Sequence, residues 1–282
     1  MTPTTAMNTP VRWPSEAIRE AVAPILPGFT VEVLPAVDST NSELMRRARA
    51  GRLEPVLLVA EQQTAGRGRM GRQWLSGAGG STAHAVASVG AMSALTFSLG
   101  LNLAPADWSG LSLAVGLSVA QSLHPDICLK WPNDLWWHDR KLAGILIETA
   151  NWGESGTGRY VVIGVGLNLQ TPDAVGLSTA PAGLLELLPG VDAAQALLLV
   201  AAPLVQTVQR FEARGFAPFQ GAFNALDALA QVPVTLSDGL QGVAQGVDAT
   251  GALLVAAAQG VQRITSAEVS VRVQQGPSYD HL

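Results

Sequence analysis

Cysteine is nearly missing from this 282-residue chain: Cys128 stands alone, which excludes an internal disulfide and any zinc site built on several cysteines. Lysine is almost as scarce. Of 17 basic residues fifteen are Arg, and only Lys130 and Lys141 supply a compact ammonium on a flexible stem, which Arg cannot do. Charge is thin at 14% against 48% hydrophobic residues, so the chain can bury a sizeable core and is not intrinsically disordered. Long apolar runs are missing as well. Residues 193–205 are interrupted by Gln195 and Pro203, and no run reaches the ~18–20 residues of a membrane span, although mean hydropathy is +0.26. Residues 1–14 have neither a basic start, an apolar stretch nor a small-residue cleavage site, so no secretory signal is expected. An excess of positive charge is also absent. A net charge of −5 and a pI near 5.3 argue against general nucleic-acid binding, because phosphate-backbone binders carry a basic domain or stripe. The expectation is a soluble cytoplasmic protein that neither enters a membrane nor reads DNA sequence.

Periodicity and punctuation give an α/β outline. Residues 1–30, rich in Pro, Thr and Ala, form an N-terminal extension with one short helix from Ser15 to about Ile25, too little for a helix-turn-helix and its linker. Strands are expected at residues 31–37, 56–60, 95–103, 127–131 and 160–169, and a hairpin at 136–148 with His138-Asp139 near its tip. Helices are expected from 40 to about 50 and over 108–123, where Leu111, Val115, Leu117 and Val119 recur at helical spacing. Residues 182–214 read as helical with breaks at Pro189-Gly190 and Pro203. The small-residue stretch 77–94 reads as a mobile loop insertion. From 232 to 273 the texture changes to about five short β runs separated by turns, a small barrel with its boundary at 225–231. The resulting division is an extension over 1–30, a catalytic domain over 31–228, a barrel over 229–276 and a tail over 277–282.

The strongest local signal is Gln63-Thr64-Ala65-Gly66-Arg67-Gly68-Arg69-Met70-Gly71-Arg72. Alternating Gly and Arg lets bare backbone N–H groups approach an anion while guanidinium forks neutralise it. No Gly-Lys-Ser/Thr closes the run, so it is not a Walker A loop. A solvated Arg-Gly loop is the alternative. Thr40-x-x-Glu43 within Asp38-Ser39-Thr40-Asn41-Ser42-Glu43 reads first as a capping box. Lys130-Trp131-Pro132-Asn133-Asp134 places polar groups at the exit of an apolar strand, or is a plain turn. Arg140-Lys141-Leu142-Ala143-Gly144-Ile145 opens a strand with two cations, or is a solvated hairpin edge. Gly164-Val165-Gly166-Leu167-Asn168 ends a strand with Gly where a ligand or another chain can approach. His84, His124, His138 and His281 share no metal-ligand spacing, Cys128 is read as a packed small hydrophobe, and no nucleophile elbow is present.

Taken in order, Ser39-Thr40-Asn41, Gly66–Arg72, Lys130–Asp134, Arg140–Ile145 and Gly166-Leu167-Asn168 resemble biotin protein ligases over about 37–170, with a weaker match to about Arg272. Both lysines fall inside these motifs. The resemblance implies a mixed-sheet α/β catalytic domain of the biotin/lipoate ligase type followed by an SH3-like β-barrel. It implies an enzyme that joins biotin to ATP as biotinyl-5′-AMP and passes biotin to one lysine of a carboxylase's biotin carboxyl carrier domain. Carried over, Ser39, Thr40, Asn41 and Gln63 hydrogen-bond the biotin head group. Gly66, Arg67, Gly68, Arg69 and Arg72 form a loop over its carboxylate and the phosphates. Lys141, with Arg67 and Arg69, serves the reacting groups, and Gly144 permits close approach to the biotin ring. Arg69, Arg72, Trp74, Lys130, Asn133, Asp134 and Asn168 serve ATP, with Asp134 toward Mg²⁺. Met70 departs from the family's third basic residue in the loop. A homodimer through a strand edge stays open. The competing readings are a lipoate or octanoyl transferase of related fold and a non-enzymatic ligand-sensing or nucleic-acid module.

Overall fold

Alternating residues decide the layers of this molecule. Along the strand Ala94–Leu103, Leu95, Phe97, Leu99, Leu101 and Leu103 enter the main apolar core, which turns Thr96, Ser98 and Gly100 to the opposite face. The structure, a computed structural model, describes residues 11–74, 92–150, 158–175, 177, 179–265 and 271–273. Its main sheet has seven strands, β1 (Thr30–Leu34), β2 (Val56–Ala60), β3 (Ala94–Leu103), β4 (Cys128–Lys130), β5 (Asp134–Trp137), β6 (Arg140–Ala150) and β7 (Arg159–Asn168). They lie in the order β1-β2-β3-β7-β6-β5-β4, with β1 and β2 parallel and the other pairs antiparallel. Five helices follow the chain as α1 (Ser15–Val22), α2 (Thr40–Arg49), α3 (Leu111–Leu123), α4 (Ala193–Arg214) and α5 (Gln220–Ala225).

The two faces of the sheet have different fates. Helices α3 and α4 pack on each other, α4 on the odd-numbered face of β3 and α3 on β4, β5 and β6, with α1 against α4 and β1. Helix α2 alone crosses the other face, over β3, β6 and β7, and closes a small second core of Leu44, Met45, Ala48, Val56, Leu58, Tyr160 and Val162. Beyond this patch the face is polar or bare, and the candidate site lies there.

The expected mixed α/β class and five C-terminal strands are borne out. β8 (Pro233–Leu236), β9 (Gln241–Val247), β10 (Leu253–Ala257), β11 (Gly260–Ile264) and β12 (Val271–Val273) form an antiparallel sheet in the order β11-β10-β9-β8-β12. Val234, Leu236, Ala244, Val247, Leu253, Val255 and Val271 belong to the same apolar cluster as the main sheet. Three links fix the joint: Leu226–Ala228 runs beside Leu129 with backbone hydrogen bonds of 2.8 and 2.9 Å, Trp131 Nε1 donates to the Gly251 carbonyl at 3.1 Å, and Lys130 Nζ donates to the Val271 carbonyl at 2.8 Å.

Several boundaries move, for physical reasons. Helix α3 begins at Leu111 rather than 108 because Gly110 takes a left-handed φ of 82°. His138 and Asp139, with φ of 46° and 60°, make the tight turn between β5 and β6, so the hairpin begins at Asp134. Residues 182–192 contain only the 3₁₀ turn Leu184–Glu186, and α4 starts after Asp192, whose side chain accepts from the Gln195 N–H at 2.7 Å. Pro203 does not break α4, since the carbonyl it leaves unpaired belongs to exposed Leu199. The first helix stops at Val22, with Ile18 and Val22 buried in the main core. Of the expected insertion 77–94, Ala94 opens β3, the Ser93 carbonyl accepts from Leu169 and Gln170, and 77–91 lie outside the described residues.

Asp227 lies at the joint, 9% exposed, with Oδ2 buried and unpartnered among the described residues. Burial pushes its carboxyl up to about 6, against the opposing hydrogen bond from the Leu229 N–H. A folded-state value above the unfolded one means that its contribution to stability is fully present below about pH 4 and is lost as pH rises through about 6. Urea unfolding of wild type and Asp227→Asn at pH 4 and pH 8 is expected to show the variant gaining relative stability at the higher pH, by up to about 3 kcal/mol. A pH-independent difference between the two proteins contradicts this origin.

Candidate active site

Helix α2 enters the polar face of the sheet tip first. Ser39, extended at φ −158° and ψ 136°, caps the helix by accepting from the Ser42 N–H at 3.4 Å. This replaces the expected Thr40–Glu43 capping box. Thr40 is already helical, and its N–H and hydroxyl turn instead to Gln63 Oε1 at 2.8 and 3.2 Å, while Glu43 pairs with Arg46 and Arg47. Ser39, Thr40 and Asn41 are each only 3% exposed. Asn41 Nδ2 donates to the Leu146 carbonyl at 3.2 Å and to Glu148 Oε2 at 3.0 Å. Ser98, fully buried on β3, has Oγ 2.7 Å from both Thr40 Oγ1 and Asn41 Oδ1. Three of the four sequence candidates, Thr40, Asn41 and Gln63, thus join Ser98 in one hydrogen-bonded polar cluster, with the fourth, Ser39, buried at its start.

Bare backbone makes the room. A Cβ placed on Gly164 would stand 2.1 Å from Asn41 Oδ1, and one on Gly166 only 2.3 Å from the Trp74 ring. Register pairs Gly166 with Gly144 on β6, where a Cβ would meet both Trp74 and Lys141 Nζ within 3.4 Å. Trp74 therefore lies flat over two glycines, and its Nε1–H is buried without a partner among the described residues.

The Gly-Arg segment is a small hairpin with Arg67, Met70, Gly71, Arg72 and Gln73 exposed. The Gly68 N–H donates to Arg72 O at 2.7 Å, the Trp74 N–H to Gly66 O at 2.9 Å, and Arg67 faces Gln73 in an antiparallel bridge. Gly66 is required for the closure, since a Cβ there would lie 2.4 Å from the Trp74 carbonyl oxygen. Met70 sits at the tip in a left-handed conformation with φ 57°, 61% exposed. Arg67 reaches back to Glu148 at 2.8 Å and to Ser42 Oγ at 3.2 Å, while Arg69 donates to Asn133 Oδ1 at 3.4 Å. Arg72 is exposed.

Cations crowd the far side of Trp74. Lys141 Nζ lies 6.0 Å from the Trp74 ring and is held by Asp134 Oδ1 at 2.7 Å. Burial pushes the Arg69 guanidinium below its ordinary value; Asp134 opposes this and Arg72 adds to it. Lys130 is pushed down by burial, with Asp134 opposing and Lys141 and Arg72 adding. The Lys130 ammonium itself turns to the Val271 carbonyl at 2.8 Å, over the Trp136 ring, so it reaches the patch through its field. Asn133 and Asn168 act as braces: Asn133 Nδ2 donates to Ile145 O at 2.7 Å, and Asn168 Nδ2 to Ala182 O at 3.0 Å and Lys141 O at 3.3 Å. Among the described residues no group of three or more His, Cys, Asp or Glu could hold a metal, so Asp134 acts singly and is bonded to Lys141. Burial and nearby Asp side chains push the Cys128 thiol up, away from nucleophilic use. Motif reading misses Ser98 and Glu148. Alternation leaves a trace of Ser98, a hydroxyl at an even position in an otherwise apolar strand.

The sequence pattern of the biotin/lipoate A/B protein ligase family matches residues 33–168, and that of the biotin protein ligase C-terminal domain matches 231–272. The chain is 34% identical over 262 residues to the bifunctional ligase/repressor BirA of Escherichia coli, covering 88% of this chain and 75% of that protein. It is 33% identical over 248 residues to the biotin–[acetyl-CoA-carboxylase] ligase of Paracoccus denitrificans, covering 84% of this chain and 98% of that one. The chain belongs to the biotin protein ligase family. A solved biotin protein ligase from Aquifex aeolicus, in complex with biotin and ATP, superposes with a TM-score of 0.69 at 27% identity, over 86% of this chain and 99% of that one.

In this ligase-family chain, the contact between Gly166 and Trp74 is the one that ties the hairpin to the sheet. Gly166→Ala drives a methyl into the indole and is expected to release the hairpin, with trypsin cleavage at Arg67, Arg69 and Arg72 rising severalfold while the unfolding midpoint changes little. Unchanged cleavage would show that Trp74 does not hold the hairpin down.

Proposed function

We propose that this protein is a cytoplasmic, ATP-dependent ligase that activates biotin and transfers it to a lysine of a biotin carboxyl carrier domain. The observation that carries the reading is the position of Lys141, held by Asp134 beside the Trp74 ring and close enough to Lys130 to depress it, while Trp74 covers Gly166, two residues along β7 from the Gly164 that admits Asn41. A neutral polar ring fits the polar cluster beneath α2, and a carboxylate and phosphates fit the cation patch, so a molecule and a nucleotide can meet end to end across Trp74. The Nε1–H of Trp74, buried without a partner among the described residues, offers a donor to such a ligand.

In the first step a biotin carboxylate oxygen attacks the α-phosphorus of ATP, a new O–P bond forms, and pyrophosphate leaves with the electron pair of the broken bond. In the second, an uncharged carrier lysine amine attacks the acyl carbon, a C–N bond forms as the acyl C–O bond breaks with its electron pair leaving on AMP, and the nitrogen gives up one proton to solvent. Neither step needs an enzyme nucleophile. The first needs two anionic reactants brought in line and their repulsion offset, and both need water kept out. Ser39, Thr40, Asn41 and Gln63 hold the ring, and the Gly66–Gly68 backbone with Arg67 and Arg69 covers the carboxylate. Lys141 follows its charge into the acyl phosphate. Arg72, Lys130, Asn133, Asp134 and Asn168 surround the nucleotide, some through the braces they form. Mg²⁺ favours one or two carboxylates plus phosphates over an all-protein cage, and Asp134 fits that habit as a single carboxylate beside the patch. With a net charge of −5, the partner is a protein carrier rather than DNA.

Purified protein with biotin and Mg-ATP is expected to release pyrophosphate, and lipoate or octanoate in place of biotin is expected to release none. Lys141→Arg exchanges a compact ammonium for a wide planar guanidinium and is expected to lose about 10²-fold or more in adenylate formation. Arg159→Lys, an exposed position whose guanidinium stacks 5.8 Å from the Trp108 ring, serves as the control and is expected to keep near wild-type rates. Near wild-type turnover by folded Lys141→Arg removes Lys141 from the reaction.

A further inference from the structure

Lys141 points to a face that strand parity would not give it. Along β6, Ala143 and Ile145 lie in the main core, and Gly144 between them faces the Trp74 ring. Strict alternation would turn Leu142 to the face of Gly144 and Lys141 to the core. The reverse is found. Leu142 is fully buried in the main core, and Lys141 Nζ stands 3.4 Å from the place of a Cβ on Gly144. Register gives the reason: Leu135 on β5 faces Ala143, and the next residue, Trp136, faces Lys141. Leu142 is therefore an extra residue, a β-bulge that re-aims the side chain before it.

A bulge interrupts the ladder, so the backbone around it has to be held from elsewhere. β7 pairs with β6 only from Ala143 onward. Beside Lys141 its place is taken by residues 180–182: the Lys141 N–H donates to Ala180 O, and the Ala182 N–H to Lys141 O, both at 2.8 Å. One carboxylate fastens this segment to the start of β6. Glu186 Oε2 accepts from Arg140 Nη2 at 2.8 Å, and Oε1 from Arg140 Nη1 at 3.1 Å, the Gly183 N–H at 3.0 Å and the Thr171 hydroxyl at 2.5 Å. Arg140 directly precedes Lys141, and its guanidinium also stacks 4.9 Å from the Trp137 ring. The crossing is close, since a Cβ on Gly183 would lie 2.5 Å from the Thr171 nitrogen. Single surface ion pairs hold little, but a bidentate fork joined by two further donors is the exception. Those donors, Arg140 foremost, pull the Glu186 carboxyl down to about 2, so it is ionised throughout the working range.

We infer that Glu186 is a positioning residue for Lys141: by clamping Arg140 to the segment that ends at Gly183, it holds the bulge that turns Lys141 out of the core and into the site. Glu186 acts through Arg140 and the backbone, and the inference rests on the reading of Lys141 as a group that serves the reaction.

The scarcity of lysine supplies the probe. Protein carrying lysine labelled with carbon-13 at Cε gives two side-chain signals, from Lys130 and Lys141, which Lys130→Arg assigns. In Glu186→Ala the Lys141 signal is expected to move toward that of free lysine, while the signal of Lys130, held at the Val271 carbonyl, stays nearly in place. Pyrophosphate release by the folded variant is expected to lose about tenfold or more in kcat, as for a misplaced reacting group, with the KM for biotin and for ATP within about threefold. A part in stability alone would lower the unfolding midpoint and leave the Lys141 signal and kcat as they are. A Lys141 signal that stays in place, or moves no further than that of Lys130, overturns the inference. Should Glu186→Ala not fold, Glu186→Gln decides by the same readouts, because its amide keeps an acceptor for Gly183 and Thr171 but cannot take the whole Arg140 fork. A displaced signal with unchanged kcat leaves the clamp standing and removes Lys141 from the reaction, which is the failure of the underlying reading alone.

Discussion

Everything at the candidate site rests on backbone left bare along β6 and β7. Gly164 admits the Asn41 amide and Gly166 admits the Trp74 indole, each to a distance at which a Cβ could not exist. The opposite registers of β7, Ile163, Val165 and Leu167, are buried in the main core. One strand therefore serves two purposes by parity: odd positions supply apolar burial, while on the even face Tyr160 and Val162 pack against α2 and Gly164 and Gly166 leave room. The Asn41 amide and the Trp74 indole can lie against the sheet only because those two positions carry no side chains.

Charge is arranged with comparable economy. Arg67 and Lys141 are each held by one carboxylate, Glu148 and Asp134. Arg69 and Lys130 lie deeper, where burial and like charge disfavour their ionised forms. A bound polyanion relieves that cost, because it brings the opposite charge that the protein supplies only in part.

Much of this is legible in the sequence, for identifiable reasons. Strand β2 can be placed to the residue, because Val56–Ala60 is a continuous apolar run bounded by turn residues. The glycines at 164 and 166 stand out because Gly inside a strand is unusual enough to ask for a cause. Thr40 misleads as a cap because its spacing to Glu43 matches a motif whose energetics are purely local. The contact that redirects Thr40 comes from Gln63, 23 residues away, and from Ser98, 58 residues away. Glu148 carries no signal at all: a lone acidic residue near a strand end has no local pattern, and its meaning depends on two partners, one 107 and one 81 residues distant. Pro203 misleads in the opposite sense, since a single proline reads as a break until the exposed side of the helix is known.

The joint to the terminal sheet has an evolutionary consequence. Lys130 and Trp131 both fasten to it through main-chain carbonyls, of Val271 and Gly251, rather than through side chains. A carbonyl is present whatever residue carries it, so position 271 can drift among residues that keep the strand and its burial. Gly251 has no such latitude, because its φ of 83° and a Cβ clash at 2.8 Å with the Gly110 Cα bind it to its place. Divergence in the terminal sheet can therefore proceed around fixed glycines such as Gly251 without loosening the attachment of the strand that bears Lys130.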